Sequence, residues 1–256
     1  MAAVEEAVEE IEEMGGKVVS AYEKLRPQTW LEELFDDPGG PDDPVSVLRV
    51  TSVNLAMRNA TDADLEHLRG LTDLKKLDLG GWGVQSMNTH YITDAGLEHL
   101  RGLTNLEYLV LDHTKVTGAG LERLKGLTRL EYLDLGDTKV TDVGLEHLEG
   151  LTNLQNLSLF RNNITDTGLE HLKGLTNLKE LTVGGTTHIT DTGLEHLKGL
   201  TKLQFLGITS TNVTDAGLKH LTGLSNLQSL GLFYTKVTDE GVKKLQQALP
   251  NCGIQR

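Results

Sequence analysis

The sequence predicts an α/β solenoid, a horseshoe with a parallel inner sheet, outer helices and a helical N-terminal cap. Three observations carry the prediction. A T-D-x-G-L string recurs with its threonine at 61, 93, 117, 141, 165, 190, 214 and 238, so that after a first step of 32 residues every step is 24 or 25. Leucines hold one frame within each step. Aromatic residues make up only 4% of the chain, so the core has to be aliphatic. A fixed period of this length marks stacked supersecondary units.

The unit beginning at Thr141 shows how each element is specified. Leu145, Leu148 and Leu151 are spaced by three, which suits one face of a short helix. Leu157 and Leu159 are spaced by two, which turns both side chains to the same side of a strand. Thr141 or Asp142 is placed to cap the helix, and Gly150 falls late in the helical segment, where a left-handed residue often turns the chain out. One unit cannot bury its own leucines, whereas a stack encloses them between a parallel sheet and an outer layer. Strands pack about 4.8 Å apart and helices about 8–10 Å apart, which predicts curvature with the strands inside.

Both ends of such a stack need covering. Residues 1–49 read as an N-terminal cap, residues 50–238 as the repeats and residues 239–256 as a C-terminal capping repeat. In the cap, Val4, Val8 and Ile11 share a helical face before Gly15-Gly16, and Thr29 to Glu32 fits a capping box. Residues 36–44, DDPGGPDDP, are a turn-rich loop. The first repeat strand is framed by Val50, Val53 and Leu55, and the last by Leu249, Cys252 and Ile254. Cys252 is the one cysteine, so no internal disulfide framework exists, and it reads as a small buried hydrophobe.

Charge narrows the partners. The net charge is −13, and residues 1–44 alone carry −10 of it. A basic surface for nucleic acid or an anionic membrane is therefore not expected. The N-terminal stretch lacks the apolar core of a signal peptide, so the expected location is cytoplasmic. No phosphate-binding glycine loop and no nucleophile–base pair stands outside the repeat frame, so neither an enzyme nor a cofactor is expected. Six histidines, at 67, 99, 147, 171, 196 and 220, form a row on the helical side. Their separation reads as a solvated or packing row, because metal ligands must converge to about 2 Å of one ion.

The pattern LxxLxLxxTxVTDxGLxHLxGLTN resembles the leucine-rich repeats of the ribonuclease-inhibitor-like superfamily over roughly residues 45–256. It is most like the repeats abundant in planctomycete bacteria and is similar to the cysteine-containing repeats of F-box adaptors. In the strand-exit turn, where many family members have Asn or Cys, Thr114, Thr138, Thr211 and Thr235 stand, while Asn162 keeps the asparagine. The resemblance implies a leucine-rich-repeat solenoid and a habit of binding proteins. It also raises a substrate-recognition subunit of an enzyme complex such as a ligase.

Departures from the repeat mark the candidate sites. Inner-face positions alternate with the core leucines and include Tyr108, Asp112, Tyr132, Asp134, Phe160, Arg161, Phe205, Phe233 and Tyr234. Six of the chain's eleven aromatics fall among them, which suits a surface that holds another protein or peptide. The competing account is that aromatics simply favour strands. The segment from Leu79 to Thr93 is eight residues longer than its counterpart from Leu111 to Thr117. That insertion carries Trp82, Met87, His90 and Tyr91, either as a contact loop or as a tolerated insertion folded back over the sheet, and a small-ligand or carbohydrate receptor would require a deep pocket lined by Trp82.

Overall fold

The computed structural model describes residues 17–20, 50–56, 60–81 and 91–256. One ten-stranded sheet runs through them in chain order. It comprises β1 (Lys17–Ser20), β2 (Val50–Asn54), β3 (Lys76–Asp78), β4 (Tyr108–Val110), β5 (Tyr132–Asp134), β6 (Asn156–Ser158), β7 (Glu180–Thr182), β8 (Phe205–Gly207), β9 (Ser229–Gly231) and β10 (Gly253–Gln255). Every pairing from β2 to β10 is parallel. The architecture is the predicted solenoid.

The N-terminal helices expected within residues 1–16 and 21–49 lie outside the described residues. The part of that region that is described is a strand. β1 runs antiparallel to β2, with Val18 opposite Val53, and occupies the edge of the first repeat strand. Covering that edge occupies backbone groups that an open solenoid would leave unpaired.

The leucine frame builds the core as expected. Leu77, Leu109, Leu133, Leu157, Leu181, Leu206 and Leu230 stand side by side in register, none more than 2% exposed. Removing each such side chain from water contributes roughly 1.5–3 kcal/mol. The outer layer is thinner than a row of full helices. Its elements are single turns such as Asp94–Leu97, continued by the 3-10 turn Glu98–Leu100. The longest is the ten-residue helix Asp239–Ala248 in the last unit.

The threonine and aspartate of the recurring string have separate tasks. In most repeats the threonine caps its own helix: Thr93 Oγ1 accepts from Ala95 N–H, and Thr165 Oγ1 from Thr167 N–H, each at 3.2 Å, whereas Thr141, expected to cap, makes no such bond. The aspartate reaches forward into the next repeat. Asp142 accepts from Thr165 N–H at 2.8 Å and from the Thr165 hydroxyl at 2.6 Å. The same pair of bonds joins Asp62 to Thr93, Asp94 to Thr117, Asp166 to Thr190, Asp191 to Thr214 and Asp215 to Thr238.

This clamp also explains the glycine of the string. A Cβ on Gly96, Gly120, Gly168, Gly193, Gly217 or Gly241 would overlap the carboxylate of the preceding repeat's aspartate. One joint differs: Gly118 stands in the aspartate position, Thr141 has no clamp, and a Cβ on Gly118 would lie 2.8 Å from Gly144 Cα. There the two outer turns meet backbone to backbone.

Gly150 corrects an expectation. Gly185 is the one glycine with positive φ among the described residues, and a Cβ on Gly150 would meet nothing within 4 Å. The chain leaves the outer turn without a left-handed residue, because the 3-10 geometry already tightens it. No local contact explains glycine at that position.

The left-handed residue sits instead after the strands from β4 to β9. His113, Asp137, Arg161, Ser210 and Tyr234 have φ between 51° and 59°. In that conformation the first four donate their N–H to the next repeat, to the carbonyls of Gly136, Phe160, Gly184 and Phe233. The following turn residue closes the exit. Thr114, Thr211 and Thr235 donate their hydroxyls to the carbonyls of Leu111, Ile208 and Leu232. Asn162 spans two repeats, donating to Leu135 O at 2.6 Å and accepting from Val140 N–H at 3.0 Å.

At the C-terminal end Leu249 and Cys252 are buried at 4% exposure, and burial raises the Cys252 thiol above its usual range. Gln246 Nε2 donates to the carbonyls of Leu249 and Cys252, tying the last turn. Among the described residues no helix is long and apolar enough to cross a membrane.

Candidate functional site on the concave sheet face

The residues that alternate with the core leucines form parallel rows across the strands. Tyr108 and Tyr132 are paired in register on β4 and β5. Their rings stack at 4.1 Å between centroids with 17° between planes, both half-buried. The next row places Asp78, Val110 and Asp134 side by side. Asp134 Oδ1 accepts from Gly136 N–H at 2.8 Å, and Asp78 Oδ1 from Gly80 N–H at 3.0 Å. Those turns hold each carboxylate against its own strand exit.

Asp112 departs from its expected place on the exposed face. It is 2% exposed. The side chain turns into the space above Gly80, where a Cβ would collide with Oδ1. Asp112 Oδ2 lies 2.9 Å from His113 Nδ1, while Oδ1 is buried with no hydrogen-bond partner. His113 Nε2 is 3.6 Å from Asp137, which in turn is 3.5 Å from Arg161.

Electrostatics follow from this crowding. Burial raises the Asp78 carboxyl above the usual carboxylate range; the Gly80 N–H offsets part of the rise, and the charge of Asp134 adds to it. Burial likewise raises Asp112, opposed by the His113 contact and reinforced by Asp134 and Asp78. The phenols of Tyr108 and Tyr132 are pushed up, first by burial; Tyr132 is raised further by Tyr108 and by Asp134 and Asp112, while Tyr108 is lowered by its contact with Tyr132 and raised by Asp78, Asp134 and Asp112. The N-terminal half of the face is acidic and aromatic.

The C-terminal half is apolar and small. Phe205 on β8 is 37% exposed and Phe233 after β9 is 43% exposed, with Gly207 and Gly231 between the rows. Tyr234 is 88% exposed at the last left-handed position. Phe160 is half-buried and carries the Arg161 guanidinium 5.3 Å above its ring. The nine inner-face residues therefore fall into two clusters rather than one.

Of the insertion residues, Trp82, Met87 and His90 lie outside the described residues. Tyr91 is 46% exposed, pairs with Thr61 in a parallel bridge and has Lys115 5.5 Å above its ring. Asp78 was missed in the sequence, although the Leu77-Asp78-Leu79 frame is the same one that picks out Asp134. A shallow groove of about 650 Å³ opens at the rim among Thr138, Lys139, Arg161, Asn162, Gly185 and His188, with no aromatic side chain in its lining. Within the histidine row, His171 Nδ1 is 2.7 Å from Glu149, while the Nδ1 atoms of His99 and His147 are buried without hydrogen bonds. Among the described residues no three histidine, cysteine or carboxylate side chains are placed to hold a metal ion.

With strands, clamps and concave rows in place, comparison with known proteins agrees with the repeat. The leucine rich repeat family matches residues 104–164 and 128–189, and a second leucine rich repeat pattern matches residues 223–245. The chain is similar to internalin C2 from Listeria monocytogenes, with 30% sequence identity and a TM-score of 0.55, covering 76% of this chain and 73% of that one. The chain belongs to the leucine-rich-repeat proteins. No curated protein matches it by sequence. Because 427 solved chains match the fold, the likeness defines an architecture and leaves the partner to the face itself.

Proposed function

We propose that the protein is a scaffold or adaptor that holds another protein or peptide on the concave face of its leucine-rich-repeat horseshoe. The observation that carries this reading is a sheet face that no described element covers, where stacked Tyr108 and Tyr132 and exposed Phe205, Phe233 and Tyr234 stand among small and acidic residues. Aromatic anchors surrounded by polar groups are the usual source of binding energy at protein interfaces. Tyr91 and the insertion that precedes it form a second contact element at the rim. The repeats read as the planctomycete-type bacterial form working in the cytoplasm, with no cofactor and neither nucleic acid nor membrane as partner. Catalysis has no part in this reading.

Crosslinking and mass spectrometry in the native host identify the partner. Replacing Tyr132, Phe160 and Phe205 together with alanine then abolishes its capture while cooperative unfolding is retained. Capture unchanged by that triple substitution sinks the reading. A ligase-type recognition subunit is the same face in a larger assembly, and co-purification of a catalytic subunit marks it.

A further inference from the structure

We propose that the face of Tyr132 turned toward β6 is an arginine-recognition subsite, with Asp134 as the carboxylate that fixes the guanidinium. This rests on the concave face being the docking surface. The two tyrosine rings shield each other on one side only. Toward β6, Tyr132 is in register with Asn156, a short side chain with no hydrogen bond among the described residues, and Asp134 with Ser158. A flat group therefore fits against the outer face of the Tyr132 ring. Asp134 uses Oδ1 for the Gly136 N–H, and its Oδ2 has no partner among the described residues.

The charge behind this face also favours a cation from outside, although the buried Asp112 is not itself a ligand of the subsite. Asp112 is buried beneath the same face with Oδ1 unpaired, aimed across Gly80 toward the strand exit that Asp78 closes. A buried carboxylate oxygen without a donor is an unusual state, because native interiors satisfy such groups. Among the described residues, neither Arg161 nor Lys76 fills the patch. Arg161 is drawn to Asp137 and lies over Phe160, and Lys76 stands on the opposite side of the tyrosine pair, beyond Tyr108. Asp78 and Asp134 thus stand in one row of the face, with Asp112 buried behind them.

Arginine fits this arrangement better than lysine for geometric reasons. Its guanidinium is planar, stacks on an aromatic face and presents a fork to a carboxylate, while an ammonium is a strongly hydrated point charge. The expected partner segment places an arginine against β5–β6 and apolar side chains toward Phe205 and Phe233, two to four strands further along the sheet.

The test titrates the full chain with three acetylated and amidated pentapeptides, Gly-Arg-Gly-Arg-Gly and its lysine and citrulline counterparts, by calorimetry. The arginine peptide binds about tenfold more tightly than the citrulline peptide and about threefold more tightly than the lysine peptide. Asp134→Asn retains the Oδ1 acceptor for Gly136 and erases the preference for arginine over lysine. Glu122→Gln on the outer layer makes the same change in net charge and preserves it. Equal binding of the arginine and lysine peptides, an arginine preference that survives Asp134→Asn, or no arginine-peptide binding at millimolar concentration overturns the subsite. Each of those outcomes leaves the docking reading standing, since partner capture in the alanine triple variant is read without any arginine probe.

Discussion

Asp94 and Thr117 are joined twice, by the Thr117 N–H at 2.7 Å and the Thr117 hydroxyl at 2.6 Å, although they belong to different repeats. The bond to the hydroxyl is charge-assisted, and both are half-sheltered from water. Hydrogen bonds to a charged group contribute about 1.5–3 kcal/mol each against the unfolded chain. The equivalent substitution in the middle of the stack, Asp166→Ala, is expected to lower unfolding free energy by about 2 kcal/mol in urea denaturation. A loss below about 0.3 kcal/mol would show that the clamp is ornamental.

Two glycines separated by 18 positions should answer oppositely to the same change. In Gly168→Ala the new methyl overlaps the Asp142 carboxylate, so the joint must open, destabilising by about 1–3 kcal/mol. In Gly150→Ala the methyl enters open space on a backbone that already has negative φ. Restricting the unfolded chain there should stabilise by about 0.4–1 kcal/mol. Thermal unfolding of the two variants side by side decides the matter, and midpoints shifted in the same direction would refute the assignment.

Tyr234 combines 88% exposure with a left-handed backbone at φ 58°. Asparagine tolerates that conformation better than tyrosine. Tyr234→Asn is therefore expected to raise stability by about 0.5 kcal/mol while weakening partner capture. Unfolding midpoint and capture should move in opposite directions; a fall in both would remove Tyr234 from the docking surface.

The pH dependence has a sign that can be worked out. The folded-state pKa of Asp112 is raised, chiefly by burial. A group raised in this way favours the folded state below its unfolded pKa, and the advantage is lost as pH climbs through the folded value. Asp112→Asn removes the charge, so the variant should gain on the wild type as pH rises from strongly acidic toward neutral. Asp215 runs the other way. Its pKa is lowered by the Thr238 hydroxyl and N–H, so its stabilisation is present above the unfolded pKa and fades as pH falls through the folded value. Denaturation midpoints of Asp112→Asn across that pH range check the first statement, and a gap independent of pH contradicts it.

Much of the fold was legible because its signals are local and periodic. The alternation around Leu157 and the threefold spacing from Leu145 need no knowledge of neighbours. The clamp was read as a helix cap because Asp142 and its true partner Thr165 are 23 residues apart. Stacking brings them together, and spacing within one repeat cannot show it. Asp112 was read as exposed for the same reason: the space it fills is made by Gly80, in the preceding repeat. At the candidate site, the frame located Tyr132 and Asp134 but not their unequal surroundings, which depend on Asn156 being short and on Tyr108 closing one face of the ring. β1 escaped notice because four residues, KVVS, carry no turn signal that sets them in register with β2.

Gly118 gives the molecule a fault line. The carboxylate rung that rivets each outer turn to the next is missing between Thr117 and Thr141, where Gly118 meets Gly144 backbone to backbone and Asn162 supplies the crossing bonds, to Leu135 and Val140. In a quasi-one-dimensional stack, cooperativity passes from unit to unit through such seams. The weakest one determines where the chain parts when it is pulled or begins to fray. Here the seam underlies β5, the strand bearing Tyr132 and Asp134, and its outer edge is tied by one buried asparagine in place of a charged rung, so replacing Asn162 would cut the stack where no carboxylate stands in reserve.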